Sequence, residues 1–160
     1  MQLQVALLAD HPEAIPILAR WFQEESPDYF TGWTPESMAE HFQPWLHRDR
    51  LPLGLVAFEQ GELVGCIVLR EKALEREPAH SPGLGGLHVA ESHRGRGIGT
   101  ALTKAGMEAA RALGYAAVYT GTDTAGGILE RLGWEALESV VYHGHQVVLY
   151  RYVLRQTTGV

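Results

Sequence analysis

The sequence predicts one α/β (α+β mixed) domain built around a single mixed sheet. Three observations carry that prediction. Segments of strand period and segments of helix period alternate along the chain, a strand–glycine turn–helix–strand unit lies at its centre, and its last third closes on a two-strand hairpin. A length of 160 residues suits one domain, placed at 1–155 with a frayed tail at 156–160.

Each element follows from local pattern. "QLQVALLA" has strand character and ends at Asp10, where D-x-x-E with Pro12 resembles a capping box and predicts a helix start. Ile15, Leu18, Ala19 and Phe22 recur at helical spacing, and Ser26-Pro27 ends that helix. The aromatic loop "SPDYFTGWT" follows. Thr34 as N-cap and Pro35 at the first helical position open a second, short helix with Met38, Phe42 and Trp45 on one side, and Pro44 weakens its end. "LGLVAFEQGELVGCIVLRE" reads as two apolar strands turning at Gln60-Gly61. An exposed loop, "KALEREPAHSPG", leads to a third apolar strand, "LGGLHVA". The next helix carries a stripe of Ile98, Leu102, Ala105, Ala109 and Leu113, with Lys104, Glu108 and Arg111 opposite and Gly114 as its C-cap. "YAAVYTGT" is a strand, "AGGILERLG" a short helix, and "WEALESVVYHGHQVVLYRYVL" a hairpin turning near His143-Gly144.

Composition narrows the function classes. A net charge of -6 argues against nonspecific affinity for nucleic acid or anionic membrane, and mildly favours a cationic partner. The single cysteine, Cys66, sits in an apolar strand and cannot form an internal disulfide, which fits a reducing cytoplasm. The N-terminus shows neither the basic flank of a signal peptide nor a membrane-spanning stretch.

The chemistry concentrates in "ESHRGRGIGTALTKAG", residues 91–106. A strand, then Arg94-Gly95-Arg96-Gly97-Ile98-Gly99, then an amphipathic helix places several N–H groups at a helix N-terminus with no Cβ in the way. Such a turn is an anion site, with the helix dipole and two arginines adding to it. It is not a dinucleotide fingerprint, because G-x-G-x-x-G would need glycine where Thr100 stands, and it lacks the G-x-x-x-x-G-K-[ST] spacing of a P-loop.

Arg94, Gly97 and Gly99 match the pyrophosphate loop [QR]-x-x-G-x-[GA] of motif A in the GNAT acetyltransferases. "LHVAESHRGRGIGTAL" is similar to that motif throughout, and "LERLGWEAL" resembles the end of motif B, usually "FYxxLGF" or "FYxxLGW". Element order agrees along most of the chain. The resemblance implies a central, mostly antiparallel twisted sheet flanked by helices and splayed at the motif strand. It implies an N-acetyltransferase with acetyl-CoA as co-substrate and no metal. The pyrophosphate would lie on the loop of Arg94, Gly95, Arg96, Gly97, Ile98, Gly99 and Thr100, and the pantetheine along Leu87, His88 and Val89. The Leu87 N–H would bind the thioester carbonyl as the amine attacks.

Two positions depart from the family pattern. Leu129 stands where the motif B tyrosine would protonate the leaving thiolate, and glycine, around Gly83, stands where some members carry a glutamate base. Thr122, Asp123, Thr124 or Tyr119 could stand in for the acid, with Asp123 carried as the catalytic candidate. His88 could relay the amine proton, or be a solvated strand residue. Glu24, Glu25 and Asp28 could attract a cationic amine or act through water, or form a solvated helix end. Tyr29, Phe30 and Trp33 could wall the acceptor site, or pack as core. His143 and His145 at a hairpin turn supply too few ligands for a metal. The acceptor is expected to be a small-molecule or peptide amine, with a homodimer left open. The alternative class is an acyl-CoA sensor that keeps the loop without catalysis.

Overall fold

The computed structural model describes residues 3–28, 30–73, 80–122, 126–142 and 144–154, and each predicted segment of strand or helix becomes an element of that type. Asp123, Thr124, Tyr29, His143, the tail at 156–160 and most of the loop after Glu71 lie outside the described residues. The strands are β1 (Leu3–Leu7), β2 (Leu53–Glu59), β3 (Glu62–Arg70), β4 (Gly83–Val89), β5 (Ala117–Thr122), β6 (Glu135–Tyr142) and β7 (His145–Val153). The helices are α1 (Ile15–Glu25), α2 (Pro35–Phe42), α3 (Ile98–Ala112) and α4 (Gly126–Arg131).

All seven strands form one sheet in the order β1-β2-β3-β4-β5-β7-β6. Every neighbour is antiparallel except β4 and β5, which are parallel and meet at one register pair, Gly83 with Tyr119. Beyond it Thr120 Oγ1 still donates to the Leu84 carbonyl at 2.5 Å, and the two strands then part. The mixed, mostly antiparallel sheet splayed at the motif strand is therefore present. At the hairpin of β2 and β3, Gln60 and Gly61 both take positive φ, 52° and 82°, the geometry of a two-residue turn that matches strand twist.

The period-2 alternation of the central strands feeds two cores. Leu55, Ala57, Ile67 and Leu69 face α3, packing on Ile98 and Leu102, while Val56 and Cys66 face α1 and α2, packing with Leu18, Met38 and Phe42. This double coverage explains why β2 and β3 read as nearly continuous apolar runs.

Two local expectations are corrected. The capping box at Asp10 does not form. Leu8–Asp10 and Pro12–Ala14 are separate 3-10 turns, and α1 starts at Ile15 with no side-chain cap. Proline at 12 and again at 16 removes two N–H donors from this stretch, and Asp10 pairs with Arg48 at 2.6 Å instead. The cap of α2 does form: Ser37 N donates to Thr34 Oγ1 at 3.1 Å and Thr34 N to Ser37 Oγ at 2.8 Å.

The buried face of α3 is also rotated from the predicted stripe. Ile98 and Leu102 are buried as expected, but Thr103, Gly106 and Ala110 complete the face, leaving Ala105, Ala109 and Leu113 partly buried. Gly106 is the cause. A Cβ there would strike the Leu84 side chain, so the helix seats its smallest residue against the sheet, where a hydropathy pattern looks for a large one.

Cys66 is 1% exposed, and burial pushes its thiol up to about 12, with the Glu25 charge adding to the effect and a backbone hydrogen bond from His88 opposing it. The native protein is expected to give no reaction with a thiol reagent at neutral pH, and one equivalent after unfolding in urea. Rapid modification of the folded protein would contradict this assignment.

Candidate active site at the splayed strand

The site starts from an irregularity in β4. Cys66 pairs with His88 and Val68 with Gly85, so two steps on β3 oppose three on β4, and β4 holds one extra residue. Gly86 takes φ +63° at this bulge, a conformation that strains any side chain, and its carbonyl accepts the Cys66 thiol at 3.6 Å. The bulge lifts the backbone at Gly86-Leu87 out of the ladder. Leu87 and Val89 then face the start of α3, and His88 faces α1.

The loop after β4 is an anion cradle. Gly95 (φ +80°) and Gly97 (φ +83°) flank Arg96, and Gly97 caps α3 with no side-chain hydrogen bond. Ala101 N makes the first helical bond, to the Gly97 carbonyl, so the N–H groups of Ile98, Gly99 and Thr100 precede the helical ladder. A Cβ at Gly95 or Gly97 would meet nothing within 4 Å, so backbone conformation and not crowding requires glycine here.

These amides open into a cleft of about 570 Å³ walled by Leu87, Val89, Arg94, Gly97, Ile128 and Arg131 among others. Arg94 Nε donates to the Val89 carbonyl at 2.9 Å, which holds the guanidinium at the cleft wall. Arg96 is turned elsewhere. Its guanidinium donates to Glu59 Oε1 at 3.1 Å, so this arginine ties the loop to the end of β2 while its backbone stays in the cradle. Arg94 and Arg131 are thus the arginines of the cleft wall.

A second cleft, of about 640 Å³, lies on the α1 side and is lined by Trp21, Glu24, Glu25, His88, Glu91 and Arg94 among others. Glu25, His88 and Arg94 line both clefts. His88 Nδ1 lies 2.8 Å from Glu25 Oε2, and the imidazole side chain is only 10% exposed. Trp21 covers it with ring centroids 4.9 Å apart and planes 30° from parallel, and Phe22 adds a tilted contact at 5.9 Å.

The other candidate residues fall in different places. Phe30 is 8% exposed in the α1/α2 core, set edge-on against Trp33 at 5.1 Å. Trp33 lines a separate cleft with Thr31, Ser37, Glu40 and His41. Asp28 is exposed and borders neither of the two joined clefts. The expected wall of Phe30 and Trp33 is therefore corrected: apolar burial folds this loop onto the second core, and the aromatic that walls the cleft is Trp21. Trp21 sits beside the apolar stripe of α1, four residues before Glu25, and an off-stripe tryptophan one turn from a carboxylate is the signal that could have found it.

Motif B needs a similar correction. Leu129 is 4% exposed in the α3-side core, and the neighbouring Ile128 faces the cleft, with Cδ1 3.3 Å from where a Gly99 Cβ would stand. Among the described residues no three His, Cys, Asp or Glu side chains gather as a metal site, and no helix is long and apolar enough to cross a membrane.

Known proteins share this fold. The sequence model of the acetyltransferase (GNAT) family matches residues 18–134. An aminoglycoside 6'-acetyltransferase type Ii superposes with a TM-score of 0.74 at 18% identity, covering 99% of this chain and 100% of that one. The Salmonella typhimurium protein yncA, solved with its cofactor acetyl-CoA, gives 0.72 at 15% identity over 98% and 96% of the two chains. A ribosomal-protein-alanine N-acetyltransferase from Brucella melitensis gives 0.70 at 21% identity over 96% and 100%. Among curated proteins none matches the sequence. The family match spans well over half of the chain, and the bulged strand and glycine cradle fall inside it: the chain belongs to the acetyltransferase (GNAT) family.

Proposed function

We propose that the protein transfers an acetyl group from acetyl-CoA to a primary amine by direct attack, with both substrates bound at once. One observation carries this reading: two clefts, one opening on uncapped helix amides and one lined by carboxylates, meet at the His88–Glu25 pair. The residues fit the donor. Amides of Ile98, Gly99 and Thr100, with Arg94 and Arg131 at the wall, suit a pyrophosphate, and the apolar faces of Leu87, Val89 and Ile128 suit a pantetheine arm. Acetyl-CoA supplies an activated acyl group on a thiol that leaves readily. The Leu87 N–H, lifted by the bulge, is the donor this chain offers to the carbonyl oxygen as negative charge gathers there.

On the other side, Glu24 and Glu91 supply negative potential and Trp21 an aromatic wall, which favours a cationic amine. A cationic amine sheds one proton to solvent before its nitrogen can attack, and His88 is the group placed to take the second, which the nitrogen loses as the amide forms. The new C–N bond forms as the C–S bond breaks, and the thiolate departs with the electron pair. Direct attack is favoured over a covalent acetyl-enzyme because the only thiol of the chain, Cys66, is buried and held protonated. Holding two reactants in adjoining clefts supplies the larger part of the acceleration, up to roughly 7–11 kcal/mol.

The test is thiol release from acetyl-CoA against a broad panel of mono- and diamines, aminoglycosides and peptide N-termini. Amine-dependent turnover is expected, and His88→Gln should lower kcat by about 100-fold. Tight CoA binding with no turnover of any amine would favour the sensor instead.

Donor binding is tested apart from chemistry. Gly97→Glu puts a carboxylate beside the cradle and side-chain strain at φ +83°. Calorimetric CoA affinity should fall at least about 100-fold, roughly 2.7 kcal/mol, and retained affinity would remove the loop from the donor site.

The orientation of α4 gives a third expectation. Leu129→Tyr inserts a phenol into a packed core and should cost about 1–3 kcal/mol in urea unfolding. Ile128→Tyr presents the phenol to the cleft and should raise kcat by about three- to ten-fold without that loss. The gain stays modest because a thiol of pKa about 8.5 leaves largely unaided.

A further inference from the structure

Glu25 belongs to the last turn of α1 and His88 to β4, 63 residues further on, and nothing in the local pattern of either element calls for the other. Their contact is nevertheless closely framed. The imidazole meets Trp21 and Phe22 of α1 in tilted ring contacts, and its Nδ1 meets Glu25 Oε2 at 2.8 Å. A carboxylate only accepts hydrogen bonds, so Nδ1 must carry the hydrogen and donate it. In the neutral imidazole the second ring nitrogen, Nε2, then keeps its lone pair. The charged and titratable groups around the pair are Glu24, from α1, Glu91, His93 and Arg94, from the loop after β4, Arg131, from α4, and the buried Cys66, from β3. Within hydrogen-bond distance of the ring, among the described residues, the carboxylate is that of Glu25.

We infer that Glu25 is a positioning residue that fixes the tautomer and orientation of His88. This rests on the transferase reading given above, and it revises the view of Glu25 as a residue that simply attracts the amine. With Nδ1–H held by Glu25, Nε2 accepts the proton from the attacking amine, and the imidazolium so formed stays beside a carboxylate. Trp21 and Phe22 keep the ring from rotating to exchange its two nitrogens. Glu25 itself takes no proton and makes no bond to either substrate; it acts through His88.

The experiment combines a spectroscopic and a kinetic readout on the full chain. In ¹⁵N-labelled protein the His88 imidazole, assigned by its loss in His88→Gln, should show the Nδ1–H tautomer. Glu25→Ala, a change at a half-exposed side chain that should leave the thermal transition in place, should return the ring to the Nε2–H form that free histidine favours. In the same variant kcat should fall at least about ten-fold while KM for the amine changes by less than about two-fold. An Nε2–H ring in the parent protein, or an unchanged tautomer in Glu25→Ala, would overturn the inference. So would a rise in amine KM with kcat intact, the signature of a residue that only attracts substrate. If the tautomer switches as expected while no amine is turned over, the transferase reading falls and the positioning of His88 by Glu25 stands.

Discussion

The structure depends on one extra residue in β4. Without the bulge at Gly86, β4 would run in register against β3 from end to end, and its alternation would keep Leu87 inside the ladder. With it, the last three residues of the strand are re-aimed, so that Leu87 and Val89 face the helix that follows and His88 faces the helix that opens the chain. The parting of β4 from β5 completes the effect. A strand that is paired on one edge and leaves its other neighbour after a single register pair has backbone available to a ligand in the middle of a sheet.

The rest of the fold brings two helices to that gap from opposite faces. α3 approaches closely because small residues line its contact: Gly106 against Leu84 within the helix, and Gly65 beneath it, where a Cβ would stand 2.8 Å from Leu102 Cδ1. That close seat fixes where the helix begins, and therefore where its uncapped amides point. The link from Arg96 to Glu59 adds a second anchor, fastening the loop to the far end of β2, so the cradle is held both by its helix and by the sheet. From the other face, α1 arrives with Trp21 and Glu25 on one ridge and covers His88. The clefts thus lie against different helices on different faces, and they meet at β4, where Glu25 of α1, His88 and Arg94 line both.

This division explains what the sequence made legible. Hairpins, helix breaks and the phosphate loop are encoded in a few consecutive residues, such as Gln60-Gly61 or Arg94 to Gly99, because turn chemistry and helix starts are local. The splay was legible only through the motif's resemblance to a known family. The pairing of His88 with Glu25 was not legible at all, since it joins distant elements and each residue has an ordinary surface reading by itself. Periodicity also misplaced the inner face of α3, because hydropathy assigns no weight to a glycine that buries itself by being small. Motif register put the family's tyrosine position at Leu129, and the side chain that reaches the cleft is its neighbour Ile128, one residue and about 100° away around the helix. The aromatic loop misled for a different reason. Phe30 and Trp33 lie near the site in sequence, yet the second core lacks apolar cover at that corner and draws them in.

A chain built this way separates the two requirements of the proposed transfer. The donor side needs fixed geometry, because a thioester must meet an oxyanion donor within a few tenths of an ångström, and it is made of backbone held by a bulge, a helix and an ion pair. The acceptor side needs recognition, and it is made of side chains on a helix end and a surface loop: Glu24 and Glu91 are exposed, while Trp21 is partly buried against the α1/α2 core. Glu24 and Glu91 can be exchanged with little effect on stability, so in the proposed transfer acceptor preference can change while the donor site stays constant. His88 is the exception that must satisfy both sides: it belongs to the bulged strand by its backbone and to α1 by its hydrogen bond. In the proposed transfer the geometry of proton removal is consequently tied to the seating of α1, and movement of that helix would act on the proposed chemistry as well as on the choice of amine.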